Sequence, residues 1–213
     1  MANELRKESG ATVSAVAGDV ATPEGQAALL AACPAPDILV NNNAGPPFRD
    51  FRQLNRAQMI DGVIANMIVA IELTQKVIDS MVAKRFGRIV NITSGSVKMP
   101  LAGLDLSSGA RAGLTAFLAG VARSVAATNV TINFLLPGTF ETERLRSNIE
   151  ANARKNGVSF EHAKSERLAA VPAHRFGKPN EFGATCAFLC SAHAGYITGQ
   201  NILIDGGAFP GVM

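Results

Sequence analysis

The sequence predicts an α/β fold: a parallel sheet, doubly wound by helices on both faces. Two observations carry this expectation. Short apolar runs alternate with helix-period segments along most of the 213 residues. Those runs are apolar throughout rather than on every second residue, as suits strands covered on both faces. The length suits a single domain over 1–213, and 47% hydrophobic with 17% charged residues is the balance of a packed chain.

Taken in order, residues 1–9 read as the end of a helix that leads directly into a first strand at 12–17. A helix is expected at 23–32, where Thr22 precedes Pro23 and Glu24 as cap and first turn. The second strand is expected at 37–41 and a long helix at 56–83, followed by a strand at 87–93 and a helix at 108–127. The last units are a strand at 130–136, a helix at 179–191 and a strand at 201–205. Residues 138–170 interrupt the rhythm with a polar, helix-prone excursion entered through glycine. That segment is expected to be a mobile lid over a substrate pocket.

The formal charge of +3 is small and the Lys and Arg are scattered, which excludes a nucleic-acid stripe. Cys33, Cys186 and Cys190 form no metal-ligand pattern with the three histidines, so no metal site is expected and a reduced, cytoplasmic location fits. Cys186 and Cys190 are four apart, which reads as helix packing before it reads as a reactive pair. The start MANELRKESG lacks a signal-peptide apolar stretch, and no window reads as a membrane helix of about 18 apolar residues.

Four motifs stand at expected strand ends: ILVNNNAG (38–45), GRIVNITS (87–94), LPGTFET (136–142) and YITGQNILIDGG (196–207). Strand carboxyl ends in open parallel sheets are where ligands collect. In this order and spacing the motifs resemble the short-chain dehydrogenase/reductase family, over nearly the whole chain from about Gly10 to Gly207. The resemblance implies a Rossmann-like sheet, NAD or NADP as cofactor, and a small-molecule carbonyl or alcohol substrate. It also implies a homodimer or homotetramer formed through the helices at 56–83 and 108–127, with 208–213 joining the interface.

Carried over residue by residue, Asp19 and Val20 match the pair at the adenine ring. Asn42, Asn43, Ala44 and Gly45 match the family's NNAG beside the ribose, with Asn41 to Ala44 as the alternative register. Asn66 matches the asparagine that holds a proton-relay water, or else hydrogen-bonds within a helix kink. Ser94 matches the substrate-orienting serine, while Pro137, Gly138 and Thr142 match the turn that receives the carboxamide.

Two departures qualify the resemblance. Where the family has a tyrosine acid and a lysine four residues on, this chain has Ser107 and Arg111; its single tyrosine, Tyr196, belongs to the C-terminal motif. A serine is a far weaker acid than a phenol, and a guanidinium shuttles no proton at neutral pH, so carbonyl chemistry is expected to be impaired. The second departure is at the front, where no glycine-rich turn precedes the first strand. The first β-α-β unit is therefore expected to be lacking, and with it the helix N-terminus that receives a pyrophosphate. Residues 12–17 would then have no neighbour unless they move beside 37–41 or pair with another chain.

Three functions are consistent with these residues. One is an NAD(P)-linked oxidoreductase of the 3-oxoacyl-carrier-protein reductase kind. Another is a non-catalytic relative that binds a nucleotide or a partner subunit, and the third is acyl or carbonyl chemistry through Ser94, Ser107 and Arg111.

Overall fold

The computed structural model describes residues 2–211. Its sheet has four parallel strands in the order β1 (Ile38–Asn41), β2 (Gly87–Ile92), β3 (Val130–Pro137), β4 (Asn201–Ile204). Register places Asn41 beside Asn91, and Asn91 beside Phe134. β3 is buried along almost its whole length, Thr131 and Asn133 included, so both faces of the strand are covered.

Helices α1 (Ala2–Ser9) and α2 (Pro23–Ala32) precede the sheet. The Thr22 hydroxyl caps α2 by accepting from Gly25 N at 3.1 Å, with Pro23 in the first turn. Between β1 and β2 run α3 (Arg56–Val63), a π-helical turn (Ile64–Ile68) and α4 (Val69–Lys84). Then come α5 (Asp105–Val125), α6 (Glu143–Asn156), α7 (Phe160–Ala169) and α8 (Pro179–Cys190). The main core joins α4 and α5 to β2 and β3 through Val77, Met81, Ile89, Leu118, Ile132 and Phe134. On the other sheet face, Leu189 of α8 packs against Val90 and Leu135.

Residues 12–17 do not form the expected strand. They have no regular secondary structure and are mostly exposed, and among the described residues no ladder bond joins them to the sheet and Val13 O accepts from the Arg6 side chain alone. A strand exists through its neighbour's backbone groups, and the described sheet begins at β1. The outer edge of β1 is open accordingly, with Ile38 45% and Val40 42% exposed.

A further correction concerns membranes. The run Arg56–Lys84 is, by length and composition, long and apolar enough to cross one, with a mean hydropathy of 1.4. Its apolar character has a local explanation: Val69, Ile71, Leu73, Val77 and Met81 face the interior of the domain. Residues 138–170 resolve into α6 and α7, which share a small core of Leu145, Ile149, Ala153, Ala163 and Phe176. Of the stretch 208–213 expected at an interface, residues 212 and 213 lie outside the described residues, as does residue 1.

Candidate functional site

Parallel pairing sets the carboxyl ends of β1, β2 and β3 side by side, so the loops that follow them converge. The loop after β1 carries Asn42 to Gly45, and opposite it the π turn presents Asn66. A π turn inserts one residue into a helix, and such turns occur often at functional sites. Asn66 is 4% exposed, and its side chain leaves its own helix: Nδ2 donates to Ala44 O at 3.0 Å. The loop answers with Asn43 Nδ2 donating to Ala65 O at 3.1 Å.

The first turns of α5 complete the cluster. Ser107 and Arg111 are one helical turn apart and face the same way. Ser107 Oγ donates to Asn66 Oδ1 at 3.0 Å and accepts from Arg111 Nε at 3.2 Å. Arg111 Nη1 donates to Ile92 O at 2.9 Å, and Nη2 to Asn43 O at 3.3 Å. The guanidinium thereby ties the end of β2 to the loop after β1. Gly45 lies over this network: a Cβ there would sit 3.5 Å from Ser107 Oγ and 3.7 Å from Arg111 Nη2.

Burial, and then the Arg144 cation, lower the Arg111 pKa to about 10. The group stays charged at neutral pH, so the site holds a buried positive charge. The Ser107 hydroxyl uses its proton on Asn66, which leaves no phenol, histidine or carboxylate hydrogen-bonded to this network among the described residues.

The remaining expected residues are not bonded into the cluster. Ser94 accepts from Ser96 N at 3.1 Å, capping a short turn, and has no hydrogen bond to Ser107 or Asn66 among the described residues. Pro137 is the last residue of β3, and Gly138 N donates to Ile204 O at 2.8 Å. Glycine is required at 138, since a Cβ would stand 2.6 Å from the Asp205 backbone. Thr142 caps α6, accepting from Leu145 N at 3.2 Å. Val20 shares a cavity of about 110 Å³ with Asn41, Asn42, Asn43, Asn66 and Arg111. Asp19 is exposed and its carboxylate accepts from Ala21 N at 2.9 Å.

Sequence reasoning missed Asn91, which pairs with Asn41 across β1 and β2 (Asn41 Nδ2 to Asn91 Oδ1, 2.9 Å) and lines the same cavity. The signal was present: a lone asparagine in the apolar strand GRIVNI faces inward only if something polar meets it.

With this geometry in place the chain can be compared with known proteins. A family profile described as enoyl-(acyl carrier protein) reductase matches residues 1–208. The chain belongs to the short-chain dehydrogenase/reductase family. Its relatives in that family include the NADPH-dependent reductase BacG of Bacillus subtilis, 30% identical over 98% of this chain and 82% of the relative. The 3-oxoacyl-[acyl-carrier-protein] reductase FabG of Vibrio cholerae is 32% identical over 81% of this chain, which spans 66% of that relative.

Among solved structures, YwfH, an NADPH-dependent reductase involved in bacilysin biosynthesis, superposes with a TM-score of 0.91 at 29% identity. That match covers 99% of this chain and 83% of the other. A variant of actinorhodin polyketide ketoreductase solved with NADPH gives 0.87 at 28% identity, covering 97% and 81%. The short-chain dehydrogenase/reductase fold, with its Rossmann-like parallel sheet, is therefore the architecture of this chain.

Proposed function

We propose that this chain is an NADP(H)-linked oxidoreductase acting on a small carbonyl or alcohol compound, with its proton-transfer chemistry much reduced. The observation that carries this reading is the closed network of Asn43, Asn66, Ser107 and Arg111 at the carboxyl ends of β1 and β2. NADPH dependence in the named relatives supports the choice of cofactor.

The residues fit such a cofactor at one end. Arg111 keeps two of its five N–H donors free among the described residues and can meet ribose hydroxyls, and the family resemblance would put Pro137 and Gly138 at the carboxamide. At the pyrophosphate end no glycine-rich turn with a helix N-terminus precedes β1 among the described residues. When bound, the dihydronicotinamide supplies the hydride. The chain's own part is to hold the carbonyl and pass a proton, and there the network is weak. Ser107 is a poor acid whose proton already serves Asn66, and Arg111 holds its own proton.

The test replaces the pair. Ser107→Tyr with Arg111→Lys should raise ketone-dependent NADPH oxidation by about 10²-fold or more, the usual worth of a positioned general acid. A folded double variant with unchanged turnover would overturn the reading.

A second reading, a non-catalytic relative that binds a nucleotide or a subunit, draws on the same full use of the Ser107 hydroxyl. Cofactor titration followed by nicotinamide fluorescence, with no turnover on any ketone in either form, would favour it. The exposed Met59, Ile60 and Phe117 on α3 and α5 support self-association as a homodimer or tetramer, which light scattering at micromolar concentration checks. Three free cysteines are consistent with a cytoplasmic location.

A further inference from the structure

We propose that the cavity beside Arg111 is a binding site for a small carboxylate. Two independent features of its lining point there.

The first is Arg111 itself. It is 9% exposed, and among the described residues no carboxylate comes within ion-pair distance of it. Its three bonded N–H groups all go to neutral oxygens. The buried Arg88 offers the contrast: it directs four bonds to Ser191 O, Gly87 O, Asn129 O and Asn129 Oδ1, and lines no cavity described above. Arg111 keeps two donors and borders open space. The nearby Arg144 adds positive potential, and together with burial it lowers the Arg111 pKa, the mark of a cation without a counter-charge.

The second feature is the Asn41–Asn91 pair on the cavity wall, 8% and 1% exposed. One bond joins them, which leaves Asn91 Nδ2 and Asn41 Oδ1 buried without partners. Turning both amides over gives the same result, one donor and one acceptor left over. Unsatisfied buried amides on the wall of an otherwise largely apolar cavity mark its polar end, where a ligand or water would sit.

A single formal charge and a guanidinium with donors on neighbouring nitrogens favour a planar monoanion over a phosphate dianion. The volume of about 110 Å³ admits an acid of two or three carbons.

The inference depends on no turnover, so its test uses the full chain without cofactor. Sodium acetate is titrated by calorimetry and by thermal melting, with sodium chloride holding ionic strength constant. Saturable acetate binding in the millimolar range is expected, with a rise in the melting midpoint that chloride does not give. Arg111→Gln should weaken binding at least 10-fold. Because that variant also loses bonds to Ile92 and Asn43, Ala70→Leu serves beside it. Ala70 lines the cavity, its side chain makes no hydrogen bond, and leucine there fills the space. A folded Ala70→Leu should also lose binding. Equal effects of acetate and chloride, a stronger effect from inorganic phosphate, or full binding by folded Ala70→Leu would each overturn the proposal.

Discussion

Removing the Asn66 side chain tests whether the network is a physical unit. Asn66→Ala deletes two bonds of 3.0 Å, one to Ala44 O and one from Ser107 Oγ. Ala44 is exposed, so its carbonyl can turn to water, and that loss costs about 0.5–1 kcal/mol. Ser107 is 6% exposed, and leaving its hydroxyl without an acceptor costs about 1–2 kcal/mol. Together these give a loss of roughly 1.5–3 kcal/mol, or about 3–12 °C in the melting midpoint for a chain of this size. With no tryptophan present, far-UV circular dichroism in urea is the appropriate probe. A cycle with Ser107→Ala isolates the shared bond, and the coupling should be about 1 kcal/mol. Additivity within about 0.3 kcal/mol would refute the claim that the two side chains act together.

Three further outcomes follow from the same geometry. Arg144→Gln removes the cation that repels Arg111 and should stabilise the fold by about 0.3–1 kcal/mol at low ionic strength. The gain should vanish in 1 M salt, where the screening length is about 3 Å; a gain that persists in salt would exclude the charge effect. The neighbouring Cys190 thiol lowers the Cys186 pKa to about 7, while Cys190 itself is raised. At pH 8 Cys186 should therefore be mostly thiolate and alkylate at least 10-fold faster than Cys190, with a rate that falls as pH drops through 7; mass spectrometry showing equal labelling would contradict this. We also expect α6 and α7 to act as a lid that opens without ligand, so a protease should cut first near Gly157, the left-handed turn between them. First cuts elsewhere, with this turn intact, would count against it.

Much of this fold was legible because burial on both faces writes itself directly into the chain. β2 and β3 appear as largely apolar runs and α2 announces its start with Thr22 and Pro23, both local signals. The strand expected at 12–17 shows where such signals stop. Thr12 to Ala17 has the composition of a strand, but a strand is made by its neighbour, and composition does not say whether one is there. The helix over 56–84 shows the reverse error: its apolar face was underestimated as a span because burial by a sheet and burial by lipid select the same residues. The π turn at Asn66 left no mark in periodicity, since one inserted residue shifts the pattern by less than its natural scatter.

At the site, the residues that converge are those whose family positions lie on rigid elements. Asn66, Ser107 and Arg111 sit on helices packed into the main core, and Asn43 is held by two of them. Asp19, Ser94 and Thr142 stand in loops or at caps, where their side chains satisfy local backbone N–H groups instead.

The substitution of Ser107 and Arg111 for a tyrosine and a lysine makes sense as a pair. A serine is too short to fill the space of a phenol, and Arg111 bonds the serine oxygen through Nε. An ammonium has three donors on one atom and cannot reach three well-separated oxygens at once. The guanidinium fork reaches Ser107, Ile92 O and Asn43 O together and so holds the ends of β1 and β2 at a fixed distance. The exchange preserves the scaffold and the positive charge while removing the acid. That is why binding of an anion or of ribose hydroxyls should outlast catalysis in this chain, and why restoring Tyr at 107 without Lys at 111 should bring back little activity: a guanidinium fixed to two carbonyls is poorly placed to lower a phenol's pKa or to relay its proton.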